Sequence, residues 1–187
     1  MAGLGATLKK TVVLVGMMGA GKTAVGKALA ARLDVPFLDS DEAIVKAANR
    51  SIAGIFTRDG EAFFRAREAE VIARLMDEQI GILSTGGGAF LADQNRAVIA
   101  DKGVAVWLRA DLDLLWARVR HKNTRPLLQT DNPRETLREL REAREPLYAK
   151  AALSVDCDPK YSIEDMVEAV MEALKTRPDV METDQNG

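Results

Sequence analysis

Thr11 to Thr23 reads TVVLVGMMGAGKT, a short β-branched and aliphatic run that passes directly into a glycine-rich turn ending in lysine and threonine. The first five residues do not alternate apolar with polar, so they suit a strand buried on both faces, as in a parallel sheet. Gly16 to Thr23 match the pattern G-x-x-x-x-G-K-[ST]. Behind them Val25, Leu29 and Leu33 recur at helical spacing. Strand, glycine turn and helix in that order make a phosphate-binding loop. Its glycines let backbone N–H groups turn inward around an anion, and the helix N-terminus adds partial positive charge. Gly16, Gly19, Ala20 and Gly21 are therefore assigned to a nucleoside triphosphate. Lys22 is assigned to its β and γ oxygens, as a catalytic cation, and the Thr23 hydroxyl to magnesium. A glycine-rich turn that only happens to contain a lysine is the bland alternative, and the flanking strand and helix weigh against it.

Working outward, comparable apolar runs occur at 36–38, 82–84, 104–108 and 153–155, each between helical patterns. That alternation predicts an α/β sheet covered by helices. Ile163, Met166, Val167, Val170, Met171 and Leu174 form one helical stripe behind a Ser162/Asp165 capping pair. Pro133 opens another helix, expected to reach about Lys150, and a third is expected from about Glu61 to Met76. The chain has 187 residues, 47% hydrophobic and 29% charged, enough for one core and cramped for two. Residues 10–176 are read as a single domain, with 1–9 and 177–187 as loose, disordered ends.

Composition narrows the function classes. A net charge of -2 gives no general attraction to nucleic acid or anionic membranes. One cysteine, Cys157, makes no intramolecular disulfide, and one histidine, His121, leaves too few soft ligands for structural zinc. The apolar run after Lys9 and Lys10 is too short for a membrane span and lacks a cleavage pattern for export. A cytoplasmic location is expected, with a small molecule as the partner, no nucleic acid or membrane, and a monomeric state.

The phosphate loop does not identify the acceptor, so other residues must. Asp39 and Asp41 follow 36–38 at i and i+2; if the strand continues, both carboxylates leave its C-terminal edge on one side. One would assist magnesium while the other accepts a hydrogen bond from an attacking hydroxyl. A solvated loop with a helix N-cap fits the same residues. Thr85-Gly86-Gly87-Gly88 closes another strand run, and three successive glycines mark close approach of the backbone to something bulky. Arg144 lies within the stripe of Leu137, Leu140, Leu147 and Tyr148, where a guanidinium needs an anion. Glu68 sits in the stripe of Phe64, Val71, Ile72 and Leu75, with Arg65 at its edge. Arg65 and Glu68 either pair with each other alone, or Glu68 positions Arg65 for a substrate carboxylate. The polar, proline-containing stretch His121 to Asn132 reads either as a mobile lid or as an ordinary surface loop. Its Arg125, followed by the anchor Pro126, Leu127 and Leu128, suits a lid arginine that reaches a transferring phosphoryl group.

Taken in order, GMMGAGKT, the D-S-D of Asp39 to Asp41, FRARE at Phe64 to Glu68, TGGG at Thr85 to Gly88, RPLL at Arg125 to Leu128 and REPLY at Arg144 to Tyr148 resemble shikimate kinase. The resemblance runs from about Lys10 to Leu174. It implies a P-loop fold like that of nucleoside monophosphate kinases, with a five-stranded parallel sheet flanked by helices. It also implies a substrate-binding helical region at about 40–76 and a lid at about 119–132. The implied activity is ATP-dependent phosphorylation of the shikimate 3-hydroxyl, in the pathway to chorismate, with magnesium as the metal. By the same resemblance Lys22 and Thr23 serve phosphate and magnesium, and Asp39 serves the magnesium shell. Asp41 serves the substrate hydroxyls, Arg65 and Arg144 the carboxylate, and Gly86 to Gly88 the ring. Arg125 serves the transferred phosphate and Arg118 the adenine. A gluconate kinase-like enzyme and a catalytically silent binding protein are the competing readings.

Overall fold

The computed structural model describes residues 5–121 and 126–184. In chain order they form β1 (Ala6–Leu8), β2 (Thr11–Val15), α1 (Lys22–Leu33), β3 (Phe37–Asp39), α2 (Ser40–Ala48), α3 (Ile52–Asp59), α4 (Glu61–Glu78), β4 (Ile82–Ser84), α5 (Asp93–Lys102), β5 (Gly103–Arg109), α6 (Leu112–Val119), α7 (Pro133–Tyr148), β6 (Leu153–Asp156), α8 (Ile163–Leu174) and β7 (Met181–Thr183). All five apolar runs read from the sequence are strands of one parallel sheet, ordered β3-β4-β2-β5-β6.

Every residue of the central strand β2 is buried. An unalternating apolar run is what a strand covered on both sides requires, and each Val or Leu so buried contributes about 1.5–3 kcal/mol. Right-handed crossovers put α1, packed on α8, against one face and α4, packed on α5, against the other. The chain leaves β2 toward β3 and later returns to the opposite side of β2 as β5. Such a reversal opens a crevice at the carboxyl ends of the strands.

Local signals explain where the helices begin. In α8 the Ser162 side chain accepts from the Asp165 N–H at 3.1 Å, and the Asp165 carboxylate accepts from the Ser162 N–H at 3.0 Å. In α7 the Asn132 side chain caps Glu135, with Pro133 in the first turn. On its outer side Arg138 pairs with Glu142 at 2.7 Å, while Arg141 and Glu145, both half-buried, pair at 2.9 Å.

Two expectations are corrected. Strand geometry does not persist through Asp41: β3 ends at Asp39, whose carboxylate accepts from the Glu42 N–H at 3.1 Å and caps α2. The chain turns helical there because an aspartate satisfies an otherwise orphaned helix donor. The alternative of a helix N-cap was therefore correct for Asp39.

The ends, read as loose, are instead ordered where the structure describes them. β1 and β7 pair antiparallel, with Ala6 opposite Thr183 and Leu8 opposite Met181. Leu8, Val180 and Met181 are buried, and Lys9 pairs with Glu182 at 3.2 Å. The polar residues around these strands hide three well-packed apolar side chains, which is why composition misread them. A chain ending at Arg177 loses β7 together with Val180 and Met181. Urea denaturation is expected to register a destabilisation of about 3–6 kcal/mol, the scale of two lost buried side chains; an unchanged midpoint would mean that the strand pair contributes nothing.

Candidate active site

At the carboxyl ends of β2, β3 and β4 lies a cleft of about 580 Å³. Parallel register sets it up, because Leu14 of β2 and Asp39 of β3 are both partners of Ser84 on β4. The segments leaving those strands therefore emerge side by side. They are the glycine turn, the D-S-D segment and the TGGG segment, and all three line the cleft.

The glycine turn has the form an anion cradle requires. Gly21 is the residue before α1 and sits at φ 94°, a left-handed conformation that side chains rarely adopt; no side chain caps the helix there. The N-terminal N–H groups of α1 thus face the cleft without competition from a capping oxygen. The Lys22 ammonium donates to the Gly16 carbonyl at 2.5 Å and the Met17 carbonyl at 3.3 Å, lying along the loop it serves. Thr23 and Asp39 line the same cleft and offer hard oxygen donors. No cluster of three or more acidic, histidine or cysteine ligands occurs among the described residues. Two oxygen donors beside a phosphate cradle fit magnesium, which keeps waters and shares substrate phosphates in place of a full protein cage.

The three glycines of TGGG each give room to a different charged side chain. A β-carbon on Gly86 would stand 3.0 Å from an Asp41 carboxylate oxygen, and one on Gly87 would stand 2.8 Å from the Arg144 guanidinium. One on Gly88 would collide with the Arg65 guanidinium. Asp41, Arg144 and Arg65 come from α2, α7 and α4, so three separate helices deliver their charges to one short loop. Thr85 anchors that loop by donating to the Leu14 carbonyl at 3.1 Å.

Burial tunes these groups. Asp41 titrates above the usual aspartate range, first because burial strips water from its carboxylate and next because Asp39 is negative. Lys22 and Arg65 pull it down again. Glu68 is also raised, chiefly by burial; it is only 1% exposed and accepts from Arg65 at 2.8 Å. That ion pair keeps the Arg65 guanidinium beside Gly88, so the two residues pair with each other and the glutamate fixes where the arginine stands.

Tyr148 is the site residue that sequence reasoning missed. It was assigned to an apolar stripe, and it is fully buried, but its hydroxyl donates to the Gly87 carbonyl at 2.5 Å and lies beside Arg144. The available signal was chemical: a buried phenol needs a hydrogen-bond partner. At the other end of the cleft Arg118 donates to the Gly19 carbonyl at 2.9 Å, and Tyr161, before α8, and Ile163, its first residue, add a wall. Cys157 stands behind the loop, its thiol pushed by burial up to about 11 and so inert. Arg125 lies outside the described residues. Of its expected anchor, Leu128 is buried while Leu127 is 52% exposed.

The comparisons with known proteins agree with this geometry. The family model "Shikimate kinase" matches residues 18–175. The chain is 65% identical over 180 residues to the shikimate kinase of Cereibacter sphaeroides, covering 96% of this chain and 90% of that protein. It is 66% identical over 177 residues to the shikimate kinase of Ruegeria pomeroyi, covering 95% and 91%. Among solved structures, shikimate kinase from Acinetobacter baumannii in complex with shikimate superposes with a TM-score of 0.84 at 36% identity, covering 89% of this chain and 93% of that one. A phosphate loop, a carboxylate with raised affinity for protons and two arginines gathered on a triple glycine are thus held on a shared scaffold, and the chain belongs to the shikimate kinase family.

Proposed function

We propose that the protein transfers the γ-phosphoryl group of ATP to the 3-hydroxyl of shikimate, giving shikimate 3-phosphate and ADP. The observation that carries this reading is the convergence of Asp41, Arg144 and Arg65 on Gly86 to Gly88 beside the phosphate loop. A carboxylated, hydroxylated ring needs two cations for its carboxylate, a base for its hydroxyl and a surface without side chains against its body. This loop and its three neighbours supply each of these.

In this mechanism Lys22 and the N–H groups of the glycine turn hold the β and γ phosphates. Thr23 and Asp39 are the residues that would hold magnesium, which when bound would neutralise phosphate charge. Arg65 and Arg144 grip the substrate carboxylate in the bidentate manner that guanidinium favours. The 3-hydroxyl oxygen bonds to the γ phosphorus as the bond to the β–γ bridging oxygen breaks, and the hydroxyl proton passes to Asp41. The raised pKa of Asp41 suits it to this task, since a carboxylate of higher proton affinity is a stronger base. Arg118 is assigned to the adenine side and Arg125 to the transferred phosphoryl group. The protein is further proposed to act in the cytoplasm as a monomer, with 40–76 as the substrate-binding region and 119–132 as a lid. No helix among the described residues is long and apolar enough to cross a membrane.

A coupled assay with MgATP tests the whole reading. ADP release is expected with shikimate and little with gluconate, and comparable turnover on gluconate would overturn it. In the same assay Asp41→Asn is expected to lower kcat by roughly 100-fold or more while ATP affinity stays near the parent value; undiminished turnover would remove Asp41 from the chemistry.

Asp39→Asn retains a side chain that caps α2 but removes a negative neighbour of Asp41. A carboxyl NMR titration of the ligand-free protein is expected to show Asp41 titrating at lower pH in this variant, because one of the two raising influences is gone. An unmoved midpoint would mean that the charge of Asp39 does not reach Asp41.

Arg144→Ala is expected to weaken shikimate binding by about 2–4 kcal/mol, the cost of leaving a desolvated carboxylate unpartnered. Arg65→Met should do the same and also expose the cost of Glu68. A carboxylate whose folded pKa is raised adds stability at low pH that is lost as pH rises through the folded value. Without Arg65 that loss is larger, so urea denaturation should find Arg65→Met more destabilised near neutral pH than at about pH 5. Equal destabilisation at both would rule out a buried charge at Glu68.

A further inference from the structure

No step of the phosphoryl transfer uses Tyr148, yet its hydroxyl stands among the groups assigned to the substrate. The residue closes α7 and is 0% exposed, its ring tilted against Trp107 with 6.1 Å between centroids. A phenol buried that deeply loses water and needs partners for its hydroxyl. The hydroxyl donates to the Gly87 carbonyl at 2.5 Å. Arg144, one turn earlier on the same face of α7, stands within hydrogen-bonding reach of its lone pairs. A β-carbon on Gly87 would lie 2.8 Å from the Arg144 guanidinium and 3.7 Å from the Tyr148 hydroxyl, so the three groups meet at one point. Burial raises the pKa of the phenol, and the charge and hydrogen bond of Arg144 offset part of the rise. The hydroxyl therefore stays protonated and keeps donating at neutral pH.

The neighbouring glycines show what that bond controls. The Gly86 carbonyl accepts from the Ala89 N–H at 3.1 Å and the Gly88 carbonyl from the Leu91 N–H at 3.2 Å, both within the turn that follows. Among the described residues the Gly87 carbonyl has no backbone partner, and Tyr148 supplies one from 61 residues away. Glycine backbone rotates readily unless something holds it. Because the peptide is planar and trans, holding the Gly87 carbonyl also aims the Gly88 N–H to the opposite side.

We propose that Tyr148 is a positioning residue for the substrate carboxylate: its hydroxyl locks the Gly87 peptide against the Arg144 guanidinium, so that both meet the substrate in one fixed geometry. The inference rests on the shikimate reading of the cleft. Tyr148 touches no reacting atom, so it governs binding and leaves the transfer step to the groups around Asp41.

Tyr148→Phe keeps the ring against Trp107 and removes only the hydroxyl. In steady-state assays it is expected to raise KM for shikimate about tenfold, the scale of one buried hydrogen bond left unmade, while kcat and KM for MgATP stay within about threefold of the parent. In a double-mutant cycle with Arg144→Ala, read as kcat/KM for shikimate, the two losses are expected to overlap, Tyr148→Phe costing less than about threefold once Arg144 is gone. An unchanged KM for shikimate, an equal rise for MgATP, or full multiplication of the two losses would each overturn the assignment. A parent protein inactive on shikimate would overturn the function beneath it as well. If Tyr148→Phe does not fold, the parent carries the test, since it has only two tyrosines, Tyr148 at the triple glycine and Tyr161 in the far wall of the cleft. With both replaced by 3-fluorotyrosine and Tyr161→Phe used for assignment, saturating shikimate is expected to shift the fluorine NMR resonance of Tyr148. An unmoved resonance would overturn the proposal.

Discussion

The parallel register of β2 between β4 and β5 is the constraint on which the rest of this molecule depends. Because Leu14, Ser84 and Asp39 stand level across three strands, everything that follows each strand emerges at one edge. The register itself is held by burial. β2 has no solvent face to exchange for a buried one, and its neighbours match it with equally apolar residues. Slipping the strand by one residue would separate the phosphate loop from the triple glycine and invert every side chain in the central layer.

From that edge the chemistry is organised by charges that are costly to bury. Asp41 and Glu68 both lose water, and both hold their protons more tightly as a result. Arg65 stands between them, paired with Glu68 and lowering the proton affinity of each. The arginine thus links one buried carboxylate to another. On the other side of the loop, Tyr148 fastens Gly87 by its carbonyl and stands against Arg144. The glycines supply no side chains, but the backbone they leave bare is itself held by Thr85 and Tyr148.

Much of this was legible in the sequence where a physical rule acts on neighbouring residues. The five strand runs, the capping box of α8 and the proline start of α7 were read correctly because each is a local signal. The phosphate loop was legible for the same reason. The strand reading of Asp39 and Asp41 failed because capping competes with strand extension, and alternation alone does not show which prevails. The partnership of Glu68 and Arg65 could be posed but not resolved from spacing, since where it stands is set by Gly88, beyond the next strand. Tyr148 was hidden because its apolar ring satisfied the stripe, and the partner of its hydroxyl is 61 residues distant in the chain. The β1 and β7 pair was invisible to composition, because its two halves lie at opposite ends of the chain.

That terminal pair has a consequence for topology. With Ala6 opposite Thr183, the ends of the described fold lie side by side, away from the strand edge that carries the cleft. A short peptide could join them, and the chain could be reopened at an exposed loop, changing the order in which the elements are synthesised without disturbing the five-strand register. Circular permutants of this kind are tolerated where termini meet at the surface. In such a molecule the glycine turn need no longer come first, which separates the geometry of phosphate binding from its position near the start of the sequence.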